Sequence, residues 1–277
     1  ELVRAAGESM RAAMDYLRGQ DNGQPVTYSW GAPDIGGRPF YDAAFTGLNC
    51  EVRRSGLAQV LDEIEACAED ARPPTYYVAS LPVDSRLPRL RAGNDLRLGA
   101  QGIHAPPSIW IGNRVIASCH YDALNNIACC AVGRRRFTLF PPEQIANLYP
   151  GPLAPTPGGQ AVSVVDFEAP DLQRHPRFAE AWANARQAVL EPGDAIFMPS
   201  LWWHHVQGLE PFNVLINYWW SSMPAYLPTP MHALYHAMWT LRDRPEREKR
   251  GWRAIFEHYV FAAPGHAGAH LPEEARG

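Results

Sequence analysis

Apolar positions fall into three regimes along the chain. Residues 1–18 carry them at helical spacing, with Met10, Met14 and Leu17 on one stripe. Leu57, Val60, Leu61 and Ile64 do the same behind Ser55, a side chain suited to cap a helix start. Between them, residues 21–50 are rich in Gly, Pro and aromatics (Tyr28, Trp30, Phe40, Tyr41, Phe45), which predicts short strands and turns. Pro73-Pro74 stops the second helix, and Thr75 to Ala79 reads as a strand. Polar, arginine-studded Pro82 to Gly102 reads as a surface connection with one short helix. From about Ser108 to Trp220 the period becomes that of strands. Ile109-Trp110-Ile111 through Val115-Ile116-Ala117 reads as a single strand, and Glu191 to Pro199 as a tight turn into a strand and out again. A Pro- and Gly-rich insertion, 147–180, interrupts this region. After Pro224 helical spacing returns. Thr229-Pro230 opens a helix carrying Leu234, Met238 and Leu241, and Pro245 opens another with Trp252, Ile255, Phe256 and Tyr259 on one face. The pattern predicts a mainly β domain over 1–224 with N-terminal helices, and a helical extension over 225–277.

Composition narrows the function classes. At 277 residues the chain can bury a substantial core. A formal net charge of −4 and a pI near 6.2 argue against a generic nucleic-acid binder or an anionic membrane surface. No apolar run approaches the roughly 20 residues of a membrane span. Cys50, Cys67, Cys119, Cys129 and Cys130 show no paired spacing, which suits reduced thiols in a cytoplasmic protein.

The chemistry concentrates in Cys119-His120-Tyr121-Asp122, answered far downstream by Trp202-Trp203-His204-His205. Alternate strand residues share a face, so His120 and Asp122 can grip one ion while Tyr121 points away. A histidine from a second strand would complete two imidazoles and one carboxylate, the facial ligand set of a mononuclear non-haem iron site. Three protein ligands leave coordination positions open for reactants. The ligand set alone also suits a metal-dependent cupin enzyme of another reaction class, or a non-catalytic metal-binding module.

Five separated motifs then come in a familiar order: His120-Tyr121-Asp122-Ala123-Leu124-Asn125-Asn126, Gly133 to Pro142, Pro192-Gly193-Asp194, Pro199 to His205, and Asn217-Tyr218-Trp219. Over about residues 75–220 the chain resembles the cupin-like JmjC oxygenases, most closely the branch containing the asparaginyl hydroxylase of hypoxia-inducible factor. The resemblance implies a double-stranded β-helix, a jelly-roll barrel flanked by helices. It implies Fe(II) held by His120, Asp122 and His204, with His204 preferred over His205. It also implies 2-oxoglutarate as cosubstrate, with Arg135 and Tyr77 (or its neighbour Tyr76) on its far carboxylate. Asn126 and Asn217 would line the cosubstrate pocket and Trp219 would form an aromatic wall. The implied reaction is hydroxylation, or demethylation by hydroxylation, of a protein side chain or a small molecule, releasing succinate and CO2. The C-terminal helices would make a homodimer. Two departures stand out. Arg135 takes a position usually held by Lys, and the usual hydroxyl three residues before the first histidine falls on Ala117. Ser118 can substitute for it only where the strand register slips.

Overall fold

The computed structural model describes residues 1–224, 226–263 and 265–275. Its elements, in chain order, are α1 (Leu2–Glu8), α2 (Met10–Gln20), β1 (Val26–Gly31), β2 (Glu51–Ser55), α3 (Leu57–Ala66), β3 (Thr75–Pro82) and the single turn α4 (Val83–Arg86). There follow β4 (Pro107–Gly112), β5 (Ile116–Tyr121), β6 (Asn125–Val132), β7 (Arg135–Phe140), α5 (Phe178–Ala183), β8 (Arg186–Leu190), β9 (Ala195–Met198), β10 (Trp203–Gly208) and β11 (Asn213–Trp220). Last come α6 (Pro230–Leu241) and α7 (Glu246–Phe256). The chain divides into two compact units, Glu1–Ser221 and one beginning at Ser222.

In the first unit every strand pair is antiparallel. One sheet runs β2-β1-β3-β4-β11-β6-β9 and the other β5-β10-β7-β8. This is the expected jelly-roll barrel with flanking helices. Strand alternation sorts side chains into layers. On β11, Val214, Ile216 and Tyr218 pack outward with Leu2, Met14, Leu17, Leu57, Leu61 and Ile64 of the helices. Leu215 between them faces inward to Ala128, Phe137, Leu139 and Val206. Behind the smaller sheet, Phe140 and Trp203 bury against Leu148, Val165 and Phe178. The insertion 147–180 is therefore the cover of an apolar sheet face.

Several sequence expectations change. The first helix is broken at Ser9, whose extended backbone (φ −170°) ends α1 while its hydroxyl accepts from Ala12 N to cap α2. Ser55 does not cap α3; it ends β2, and Gly56 is the N-cap. The stretch 82–102 is no surface connection, because Val83, Leu87, Leu90 and Leu98 are buried in the core under the helices. The run from Ile109 to Ala117 is two strands in different sheets, β4 and β5, split by a turn at Asn113. Periodicity cannot reveal this, since the alternation resumes across the corner. All five cysteines are free.

The second unit is a helical pair. Thr229 caps α6 as its spacing predicts, accepting from Met231 N, and Pro245 is the N-cap of α7. Leu234, Met238, Leu241, Trp252 and Phe256 line an apolar groove of about 370 Å³ between the two helices.

Candidate metal centre

β5 and β10 are neighbours in the smaller sheet, and their register sets His204 directly opposite His120. The imidazole centroids lie 4.4 Å apart, and His204 Nε2 is 3.7 Å from Asp122 Oδ2. One ligand atom from each of His120, Asp122 and His204 falls within 4.8 Å of the others, close enough to share one ion. Asp122 sits one residue past the end of β5, where its carbonyl accepts from Leu201 N at 2.7 Å. That bond ties the carboxylate to the turn that leads into β10.

The ring nitrogens are already sorted. His120 Nδ1 lies 2.8 Å from Ser118 O, and His204 Nδ1 lies 3.0 Å from Trp202 O. A carbonyl can only accept, so each Nδ1 carries the proton and each Nε2 presents its lone pair. Burial pushes the His204 pKa down to about 4, with the neighbouring His120 adding to it and Asp122 opposing, so the ring is neutral at physiological pH. Asp122 Oδ2 accepts from Trp219 Nε1 and Oδ1 from Gln160 Nε2, both at 3.2 Å. Two imidazoles that turn Nε2 to the same spot and an oriented carboxylate fit a divalent first-row metal such as Fe(II). His205 points to the other face of β10, where it stacks on Phe167 at 4.5 Å; burial drives its pKa down to about 3.

The triad opens on a cavity of about 320 Å³. Every other residue expected there by resemblance also lines it: Tyr77 from β3, Asn126 from β6, Arg135 from β7, and Asn217 and Trp219 from β11. Asn217 Nδ2 donates to Asn126 Oδ1 at 2.7 Å, so the two amides brace one another. Tyr76, the alternative to Tyr77, faces the helices instead. Arg135 is buried and forms no ion pair among the described residues. Burial lowers its pKa, opposed by nearby Tyr77, and enclosure pushes the Tyr77 phenol up to about 12. Six buried side-chain polar atoms lack a hydrogen-bond partner among the described residues. Three of them belong to residues that line this cavity: Arg135 Nε, Trp110 Nε1 and Asn217 Oδ1.

The register slip on which Ser118 depended is present. His204 pairs with His120 but Val206 pairs with Ala117, so Ser118 and Cys119 bulge opposite His205 alone. Both Ala117 and Ser118 reach the cavity, and the Ser118 hydroxyl accepts from Arg38 Nε at 2.9 Å. Trp110 and Gln160 escaped the sequence reading. Trp110 could have been found, because flanking Ile109 and Ile111 are an outward pair that forces it inward. Gln160 could not, since nothing in an irregular loop fixes where a side chain lands.

A profile of the cupin-like domain matches residues 2–226. Lysine-specific demethylase JMJ31 of Arabidopsis thaliana is 29% identical over 197 residues, 65% of this chain and 34% of that protein. tRNA wybutosine-synthesizing protein 5 of Danio rerio is 35% identical over 183 residues, 59% and 53% respectively. HSPB1-associated protein 1 of Homo sapiens is 37% identical over 114 residues, 40% and 23%. The matched region thus spans between about a quarter and a half of the length of these relatives. With its barrel, its His-Asp-His cluster and a profile match running through nearly the whole first unit, the chain belongs to the cupin-like domain family of the JmjC type.

Proposed function

We propose that the chain is an Fe(II)- and 2-oxoglutarate-dependent oxygenase that hydroxylates, or demethylates by hydroxylation, a protein side chain or a small molecule, releasing succinate and CO2. The observation that carries this reading is Arg135. A buried guanidinium with no carboxylate partner is costly unless an anion meets it, and this one lines the same cavity as the metal triad. A metal chelator with a second, distal carboxylate answers both features at once. The closer kinship with the asparaginyl hydroxylase of hypoxia-inducible factor is part of this reading.

In it, His120 and His204 hold the iron through Nε2 and Asp122 through a carboxylate oxygen. Iron, when bound, would supply the activation of dioxygen, which is the oxidant: one oxygen atom goes to the substrate and the other to succinate, with 2-oxoglutarate giving up two electrons as it loses CO2. The chain's own residues position and enclose. Arg135 and the Tyr77 phenol, which keeps its proton at neutral pH, receive the far carboxylate. Trp219 and Gln160 fix the rotation of Asp122. Asn126 and Asn217 form the polar wall, and Phe137, Val206, Leu215 and Met198 keep the floor dry.

The rim of the cavity combines Ser29 and Pro39 with Pro157, Gly158 and Gln160 of the insertion. Loops on a rigid scaffold are where specificity is set, and these two segments are our candidates for contacting the substrate. The relatives' names point to lysine demethylation and to tRNA modification. With a net charge of −4, a protein or small-molecule substrate is the better fit here. We also propose that the second unit, with its apolar groove and exposed Trp239 and Tyr259, forms a homodimer contact.

The deciding assay incubates the full chain with Fe(II), ascorbate and 2-oxoglutarate and measures succinate. Uncoupled turnover is expected, lost in His204→Ala. Substrate conversion that consumes no 2-oxoglutarate would instead indicate a cupin enzyme of another reaction class. Neither turnover nor 2-oxoglutarate binding would leave a metal-binding module without this chemistry.

A further inference from the structure

The cavity holds one more unpaired donor than the ligand set and Arg135 account for. On β4, Ile109 and Ile111 belong to the layer under the helices, which turns Trp110 into the barrel. There its ring stacks on Tyr77 (centroids 5.7 Å, 30°) and meets Trp219 edge to face (5.8 Å, 69°). Tyr77 lies within electrostatic reach of Arg135, as does Cys130. The indole can only donate, and its Nε1 is buried with nothing to receive the proton. The Tyr77 phenol is the other neutral donor already assigned to the far carboxylate, and the usual hydroxyl position gives nothing. Ala117 has no hydroxyl, and the Ser118 oxygen is oriented toward Arg38, from which it accepts. Two orphan N–H donors, Trp110 Nε1 and Arg135 Nε, therefore belong to residues that line one small cavity, as does a single orphan acceptor, Asn217 Oδ1.

We propose that Trp110 is a cosubstrate-positioning residue whose indole N–H donates to the far carboxylate of the 2-oxo acid beside the Arg135 guanidinium, so that the pair selects a diacid over a 2-oxo monoacid. This rests on the 2-oxoglutarate reading above and deepens it. The two donors do different work. The guanidinium supplies charge and a planar fork; the indole, fixed by its stack on Tyr77, supplies one directed bond that sets the rotation of the carboxylate. A carboxylate offers about four lone-pair sites, enough for both.

The test titrates the full chain, loaded with Mn(II), with 2-oxoglutarate and separately with 2-oxobutanoate, by calorimetry. Trp110→Phe keeps an aromatic ring beside Tyr77 and removes the N–H together with part of the indole's bulk, a loss of packing whose cost, if any, both acids would register equally. It is expected to weaken 2-oxoglutarate binding about tenfold, the worth of one hydrogen bond to a charged group, while 2-oxobutanoate binding is unchanged. Equal losses for both acids would reduce Trp110 to a structural role, and an unchanged 2-oxoglutarate affinity would remove it from the site; either result overturns the proposal. Should Trp110→Phe not fold, the wild-type indole N–H spectrum decides. One resonance should move with 2-oxoglutarate and stay put with 2-oxobutanoate, and the proposal fails if none does. A wild-type protein that binds neither acid sinks the underlying 2-oxoglutarate reading, whereas a wild type that binds 2-oxoglutarate with an unaffected Trp110→Phe sinks only the role of Trp110.

Discussion

His204 and His205 are adjacent in the chain and opposite in fate. The strand period of two sends one to the cavity and the other to Phe167. His204→Ala should abolish tight binding of Fe(II), read by calorimetry or by a spectroscopic Co(II) substitute. His205→Ala should keep the metal and cost about 1–3 kcal/mol in a urea melt, as loss of a buried stacked ring does. The reverse pattern would exchange their roles. Arg135 makes a sharper case. Because its charge is buried without an ion-pair partner among the described residues, Arg135→Met should leave the ligand-free protein as stable as before or more so, by up to about 1–3 kcal/mol. The same substitution should eliminate 2-oxoglutarate binding. A destabilised Arg135→Met would mean that the guanidinium serves the fold. The resemblance marked this residue, but its lack of a carboxylate partner among the described residues is visible only in three dimensions.

At the scale of elements, the link between β6 and β7 carries the most consequence. Only Gly133 and Arg134 separate the two strands, yet β6 belongs to one sheet and β7 to the other. The chain turns that corner with Gly133 at φ +71°, and a Cβ there would sit 2.5 Å from both the Phe212 carbonyl oxygen and Asn213 Oδ1. Left-handed geometry and this close approach together demand glycine. Gly133→Ala should cost at least about 2 kcal/mol and should also weaken 2-oxoglutarate binding, because Arg135 begins β7 two residues later. A chevron or urea series paired with one ligand titration measures both; an Ala variant as stable as wild type would refute the account. Local pattern marked the region on both sides of this corner as strand-rich. It could not say that they lie in different sheets, for the same reason that the run from Ile109 to Ala117 reads as one strand.

For the whole molecule, burial of weak acids sets a limit at alkaline pH. Cys129 and Cys130 rise from 9.0 to about 11, and Tyr77 and Tyr218 from 10.0 to about 12, chiefly through desolvation. Each is held protonated in the fold above the pH at which the unfolded chain releases its proton. Their contribution is therefore fully present below about pH 9 and is lost as pH rises through 11 to 12. Unfolding free energy should be level near pH 8 and fall from pH 9 upward; a flat profile to pH 11 would contradict it. Assembly belongs to this scale as well. If the second unit makes the dimer contact, a chain ending at Ser221 should run as a monomer in light scattering while still binding metal, and an unchanged mass would dismiss the idea.

What the amino-acid order determined by itself is what depends on neighbours in the chain: the strand period around His120 and His204, the helical stripes, the Thr229 cap, and the donor types that iron and a dicarboxylate require. These follow from backbone sterics and side-chain chemistry, which act over a few residues. Only the tertiary structure decided which strands share a sheet, that β5 bulges so that Ser118 joins Ala117 at the cavity, and that Gln160 enters the site. Those outcomes come from packing the insertion and the helices against two sheet faces at once. No stretch of the chain can express them before the others are in place.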